Sequence, residues 1–173
     1  MKKIYITGVS GTGKTTIAQE LERRGYYAIS IDETDGLCSW INQETGRNDG
    51  GKDAEMTIAF VDTHDWVCDT SYLTRLLEKD RDIAFVLGMA TNQSEFLSVF
   101  DKIFVLQCAP ETFLKRIEDR TDNNFGKDKK VQEQIIARSK TYEQEMSSKG
   151  AVPINTDRSV DDVVDDVLRQ ATL

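Results

Sequence analysis

Residues 8–15 read GVSGTGKT, preceded by the apolar run KKIYIT and followed by TIAQELERRG. A glycine, four residues, a second glycine, then lysine and threonine make physical sense where a strand turns sharply into a helix. Both flanks fit that requirement. Ile4 and Ile6 belong to a short β-rich segment, and Ile17, Ala18 and Leu21 fall on one helical face that Gly25 can terminate. Gly8, Gly11 and Gly13 permit backbone geometries that a Cβ would forbid, so main-chain N–H groups can close on a polyphosphate. The helix that follows adds its positive end and its unpaired N–H donors. Lys14 is placed to reach the β- and γ-phosphates, and the Thr15 hydroxyl to complete a magnesium shell. Ser10, Thr12 and Thr16 complete the loop residues expected against the nucleotide. A glycine-rich turn without a ligand would leave the lysine and hydroxyl positions unexplained. The expectation is a nucleoside triphosphate site.

The rest of the chain supplies a frame for that site. Strand signals recur at 26–31 (YYAISI), 82–88 (DIAFVLG), 102–108 (KIFVLQC) and 151–156 (AVPINT), separated by segments of helical apolar spacing. Such alternation predicts an α/β fold, a parallel sheet with helices on both faces. The near-continuous apolar runs IAFVL and IFVLQ suit strands buried on both sides. Ligands of such sheets bind beyond the carboxyl ends of the strands, which directs attention to Asp32, 88–91, 109–111 and 157–159. Residues 36–80 are too long for one crossover helix and contain the turn-rich NQETGRNDGGKD, so they read as an inserted substrate lobe. Residues 120–130, RTDNNFGKDKK, read as a mobile lid. At 173 residues the chain is expected to form one domain.

Composition narrows the partners. A net charge of −8 argues against a general nucleic-acid binder. The N-terminus lacks the apolar core of a signal peptide and no apolar run reaches membrane-spanning length, so a cytoplasmic protein is expected. Cys38, Cys68 and Cys108 lack close metal-ligand spacing and read as reduced thiols.

Several side chains carry the expected chemistry. Asp32 ends the second strand in SIDETD, where a carboxylate can hold magnesium or orient an acceptor hydroxyl; a helix cap or turn aspartate is the plainer role. Glu33 and Asp35 stand behind it. Arg116 and Arg120 are four apart on one helical face, within a stretch, 115–130, of six basic and four acidic side chains. Their forks suit phosphoryl oxygens, with surface ion pairs to Glu118, Asp119 or Glu133 as the alternative. Arg138 on the next helix could join them. His64 reads as a solvated helix residue. Trp40 and Trp66 serve either the core or a planar substrate, and Arg47 and Arg75 either solvent or an anionic acceptor group. Asn92 and Gln93 recognise substrate, or Asn92 caps a helix QSEFLSVF. Val160, Val163, Val164, Val167 and Leu168 form the packing face of an acidic helix.

Taken in order, GVSGTGKT, SIDETD, FVLGMATNQ, RIEDRTDNNFGK and NTDRSVDDVV resemble the small P-loop kinases of the nucleoside monophosphate kinase and shikimate kinase type, over nearly the whole chain. That resemblance implies a three-layer α/β/α P-loop NTPase fold, a five-stranded parallel sheet ordered 2-3-1-4-5, a substrate lobe and a lid. It implies ATP and Mg2+ at Lys14 and Thr15, with Asp32 as the further metal candidate. It also implies Arg120 as the lid arginine on the transferring phosphate, Arg116 against adenine, Arg138 with Tyr142 as the arginine after the lid, and Asp157 bordering the adenine. FVLGMA carries no acid at the end of the third strand, unlike adenylate-kinase-like enzymes, and GMATNQ replaces the glycine triplet of shikimate kinases. The expected function is ATP-dependent phosphoryl transfer to a small molecule, preferably a nucleoside monophosphate, by a monomer or homodimer. A shikimate-like or other hydroxylated metabolite is the alternative acceptor, and a nucleotide-binding switch with slow hydrolysis the alternative class.

Overall fold

The computed structural model describes residues 1–51, 57–79, 81–121 and 125–172. Its elements run β1 (Lys2–Thr7), α1 (Lys14–Arg23), β2 (Tyr27–Ser30), β3 (Cys38–Asn42), α2 (Ile58–Val61), β4 (His64–Cys68), α3 (Thr70–Leu77), β5 (Ile83–Leu87), β6 (Lys102–Gln107), α4 (Pro110–Asp119), α5 (Lys129–Ser148), β7 (Val152–Asn155) and α6 (Val160–Thr172). Parts of the expected lobe (52–56 and 80) and lid (122–124) lie outside the described residues.

Five strands pair in parallel in the order β2-β5-β1-β6-β7. Counted over the chain this is 2-5-1-6-7 rather than 2-3-1-4-5. The difference arises inside the inserted segment, where β3 and β4 form a separate antiparallel hairpin that sequence periodicity did not reveal. With that hairpin left out of the count, the two series coincide.

Alternation along each strand builds the layers. Ile4 and Ile6 of β1 face one side with Phe85, Leu87, Phe104 and Leu106, against Ile17 and Leu21 of α1 and Val163, Val164 and Val167 of α6. Tyr5 and Val86 face the other side, against Leu73 and Leu77 of α3. Val105 meets Phe113 and Ile117 of α4 and Val131 and Ile135 of α5. Each such fully buried side chain contributes about 1.5–3 kcal/mol, which fixes which face every helix turns inward. Among the described residues no helix is long and apolar enough to cross a membrane.

The packing aims the carboxyl ends of β1, β2 and β5 at one place. Gly88, directly after β5, is central to this: a Cβ there would lie 1.9 Å from Ile31 Cγ1. Ile31 therefore occupies the space a side chain would need, and it immediately precedes Asp32. Gly88→Ala is expected to destabilise the protein by about 1–3 kcal/mol through overpacking. In a chain of this length that corresponds to a loss of roughly 2–10 °C in melting temperature, measurable by thermal denaturation followed by circular dichroism.

Candidate active site

The loop between β1 and α1 adopts the cradle its glycines permit. Gly11 and Gly13 have φ of +83° and +102°, and a Cβ on Gly11 would meet the Phe113 carbonyl oxygen at 2.5 Å. The loop is thus pressed against α4, the helix that carries Arg116. Gly13 caps α1 without a side-chain hydrogen bond, so the first helical N–H groups have no side-chain acceptor there. Lys14 folds back over the loop, its ammonium donating to the carbonyls of Gly8 (2.7 Å) and Val9 (3.0 Å). Thr12 donates to Val9 O, and Thr156 donates to Thr12 O.

Above this loop lies a cavity of about 960 Å³. Its walls include loop residues Ser10, Gly11, Thr12, Gly13, Lys14, Thr15 and Thr16, and also Asp32, Arg116, Arg120 and Arg138. Most of the site residues expected from the sequence therefore converge. Two do not line it. Gly8 lies beneath the loop as the Lys14 acceptor, and Asp157 accepts the Ala109 N–H at 2.8 Å at the start of α4. At that edge the wall is Thr156 and Arg158. Arg116 is anchored there, donating to Thr156 O (2.8 Å) and Thr156 Oγ1 (3.2 Å). Arg120 donates to the carbonyl of Phe125, so the chain beyond α4 curls back over its own last turn. Arg138 is exposed at the rim, paired with Glu145 at 3.2 Å and lying over the Tyr142 ring.

Asp32 stands in the turn after β2 and caps no helix. Its Oδ1 accepts the Trp66 indole N–H at 3.0 Å, and a turn rather than a helix follows β2. Burial pushes its carboxyl above the usual range, while Lys14 and the Trp66 hydrogen bond pull it back. Trp66 pairs in register with Trp40 across the β3–β4 hairpin, their rings 5.1 Å apart, and both line the cavity with Met89 and Phe125. Trp40 is 7% exposed, and its indole N–H is buried with no hydrogen-bond partner among the described residues. Such an orphan costs on the order of 1–3 kcal/mol.

Other residues have structural tasks. Asn92 does not cap a helix: its side chain binds both the N–H and the C=O of Cys68, clamping β4 to the sheet edge, and two 3₁₀ turns replace the expected helix. Gln93 is buried and accepts from Tyr142 at 2.8 Å, while Tyr142 lies 2.5 Å from Thr7 Oγ1. That network joins α5 to the strand feeding the glycine loop. His64 stands on β4, not a helix, stacked 3.9 Å from Phe60 and 3.0 Å from Asp49. Arg47 pairs with Asp49 and Arg75 lies over Tyr72, both outside the cavity. Spacing could not have disclosed these roles, because each depends on partners from other elements.

The residues fit a nucleoside triphosphate with magnesium. Glycines 11 and 13 leave a backbone cradle that a Cβ would fill or strain, and Lys14 brings a cation to it. Among the described residues no cluster of three or more His, Cys, Asp or Glu could hold a metal alone. The Thr15 hydroxyl and Asp32 would instead supply two oxygens, with phosphates and water supplying the rest, which suits magnesium.

Residues 4–137 match the model of the family described as AAA domain. The chain belongs to this family. Among curated proteins, the dephospho-CoA kinase of Bordetella avium is 24% identical over 148 residues, covering 70% of this chain and 68% of that one. The shikimate kinase of Bacteroides thetaiotaomicron superposes with a TM-score of 0.62 at 16% identity, covering 99% of both chains. A gluconokinase from Sinorhizobium meliloti 1021 superposes with a TM-score of 0.54 at 14% identity, covering 99% of this chain and 91% of that one. This AAA domain thus shares the fold of that shikimate kinase and that gluconokinase, and the curated relative named here is a kinase.

Burial also lowers the Lys14 ammonium, to about 8, with Arg120 adding to the effect and Asp32 opposing it. A bound polyphosphate favours the protonated form, so above pH 8 the complex holds more protons than the free protein. ATP affinity is therefore expected to fall as pH rises through that value, by about tenfold between about pH 7 and about pH 9. Calorimetric titration in buffers of different ionisation enthalpy measures both the affinity and the proton uptake, and Lys14→Met should abolish the uptake.

Proposed function

We propose that this protein is an ATP-dependent kinase that transfers the γ-phosphoryl group to a small molecule, with 36–80 as its acceptor lobe and 120–130 as its lid. The observation that carries the reading is the convergence of the glycine loop, Lys14, Asp32 and Arg120 on one cavity with an aromatic wall opposite the loop. Backbone N–H groups of the loop hold the polyphosphate, and Lys14 turns from the loop carbonyls to the phosphate oxygens. The Thr15 hydroxyl and Asp32 would hold magnesium, which would neutralise charge on those oxygens. Arg120, at the start of the lid, and Arg138, on α5 at the cavity rim, meet the charge that develops during transfer once the lid closes. Arg116 packs beside the nucleotide base near Thr156.

The acceptor oxygen forms a bond to the γ-phosphorus as the bond from phosphorus to the bridging oxygen breaks, releasing ADP. The proton of an attacking hydroxyl passes to Asp32 and then to solvent. Asp32, read as the base for the acceptor, supports one of the two acceptor classes raised by the sequence. A nucleoside monophosphate presents an anionic oxygen that a carboxylate repels, whereas a hydroxyl gains from a neighbouring base. The geometry therefore favours the hydroxyl-bearing metabolite over the nucleoside monophosphate. ADP release from ATP and Mg2+, assayed across nucleoside monophosphates, nucleosides, shikimate and sugar acids, tests this. Stimulation by a hydroxyl acceptor supports it; a slow background unaffected by every acceptor would favour a nucleotide-dependent switch.

A further inference from the structure

The kinase reading brings Arg138 to the transferring phosphoryl group, and the side chain one turn later on α5 fixes where Arg138 stands. The Arg138 guanidinium lies 5.6 Å over the ring of Tyr142. The hydroxyl of that ring lies 2.5 Å from Thr7 Oγ1 and donates to Gln93 Oε1 at 2.8 Å. Because the Tyr142 proton goes to Gln93, the Thr7 hydroxyl is the donor in the first bond. Gln93 Nε2 donates in turn to Met146 Sδ at 3.6 Å, back on α5. Burial pushes the Tyr142 hydroxyl up to about 12, so it remains a neutral donor at neutral pH. Tyr142 and Gln93 stand in the cavity wall, yet they are only 1% and 6% exposed and are bonded to each other. They act on the site through the elements they join.

Those elements are the two halves of the site. Thr7 ends β1 and precedes Gly8, whose carbonyl accepts from Lys14. Gln93 follows a segment held to the sheet and to the hairpin: the Gly88 N–H donates to Ile6 O at 3.1 Å, and the Thr91 N–H to Trp66 O at 2.7 Å. Trp66 in turn donates to Asp32. Tyr142 therefore bonds α5 both to the strand feeding the glycine loop and to the wall that holds Asp32. Val131, Ile135 and Met146 pack the same helix through apolar contacts, which carry no direction. The bonds of α5 to Gln107 and Asp62, through Glu143 and Gln134, are partly or fully exposed. The buried, directional bonds at Tyr142 are what set the helix to a fraction of an ångström.

Resting on the kinase reading, we infer that Tyr142 is a positioning residue for phosphoryl transfer. Its hydroxyl, held between Thr7 and Gln93, sets α5 against the glycine loop so that Arg138, carried on the face of its ring, meets the γ-phosphoryl group.

The test needs no acceptor. Calorimetry of the full-length protein compares the affinity for ADP and magnesium with that for ADP, magnesium and aluminium fluoride, in which the fluoride complex stands for the transferring phosphoryl group. The wild type is expected to gain about 10²-fold in affinity from the fluoride complex. Tyr142→Phe keeps the ring beneath Arg138 and removes the hydroxyl, and Thr7→Val removes the other end of the bond at nearly constant volume. Each should reduce that gain by about tenfold, within the roughly 10²-fold that a misplacement of about 1 Å can cost. ADP affinity should stay within about twofold, and the double variant should lose no more than either single one. In an Arg138→Ala background Tyr142→Phe should cost nothing further. Thr7→Ser, which keeps the hydroxyl, should retain the gain. Tyr27→Phe is the control for losing a tyrosine hydroxyl: that group donates to Leu76 O at 3.2 Å outside the cavity, and its loss should lower the melting temperature alone.

If Tyr142→Phe fails to fold, Thr7→Val carries the same comparison. A full gain in the folded variants overturns the inference, as does an equal loss of ADP affinity, or a Tyr142→Phe cost that adds in full to that of Arg138→Ala. So does a wild type that binds the fluoride complex no more tightly than ADP. The acceptor panel separates the kinase reading from this one. The expected losses without acceptor-driven ADP release support the positioning role and overturn the kinase reading, whereas acceptor-driven release with kcat and KM unaltered in both variants does the reverse.

Discussion

Lys14→Ala is expected to reduce acceptor-dependent ADP release by about 10²–10³-fold, the loss seen when a donor aimed at developing charge is removed. The ammonium now donates to Gly8 O and Val9 O. Both carbonyls belong to the loop that would receive the polyphosphate, so the lysine needs only to rotate outward to exchange them for phosphate oxygens. Its loss removes one donor from these two loop carbonyls and leaves the sheet and helix packing untouched, so the fold is expected to persist. Circular dichroism and the melting temperature check the fold, and single-turnover transfer measures the chemical step. Undiminished transfer by the folded variant would overturn the assignment of the loop as the phosphoryl-transfer site.

Asp32→Asn is expected to lower kcat by about 10²–10⁴-fold, the usual range for a positioned acid–base group. The amide oxygen can still accept the Trp66 N–H, so the aromatic wall should persist. Two outcomes separate the roles open to Asp32. If it takes the acceptor proton, kcat falls with little change in the KM for ATP; if it mainly holds magnesium, that KM and the magnesium requirement rise as well. The pH profile adds a second readout. Burial raises the Asp32 carboxyl, and the reaction requires it ionised, so kcat should fall as pH drops through a value above the ordinary carboxylate range. The acid limb should disappear in the variant.

Local chemistry made much of this legible. GVSGTGKT specifies its strand-loop-helix corner because three glycines, a lysine and a threonine have roles within a few residues of one another, and β1 and α1 meet at that corner. The runs IAFVL and IFVLQ became β5 and β6 because continuous apolar strands need cover on both faces. Arg116 and Arg120 face the cavity from successive turns of α4 and its end, as a spacing of four requires.

The remainder depended on contacts between distant residues. The hairpin pairing Trp40 with Trp66 spans a turn-rich insertion with no alternating pattern, and its register is set by the cross-strand partners. The spacing left Asn92 as either a substrate contact or a cap, whereas its amide clamps Cys68 of another element. Asp157 appeared to border a nucleotide, yet its carboxylate is held by the backbone of α4. The sequence by itself determined that a phosphate cradle sits at the edge of a parallel sheet, because backbone conformation and strand burial are local properties. Only the tertiary structure decided that Asp32 is held by an indole while Lys14 and Arg120 act on it, because those facts arise where the ends of β1 and β2, the β3–β4 hairpin and the end of α4 come together.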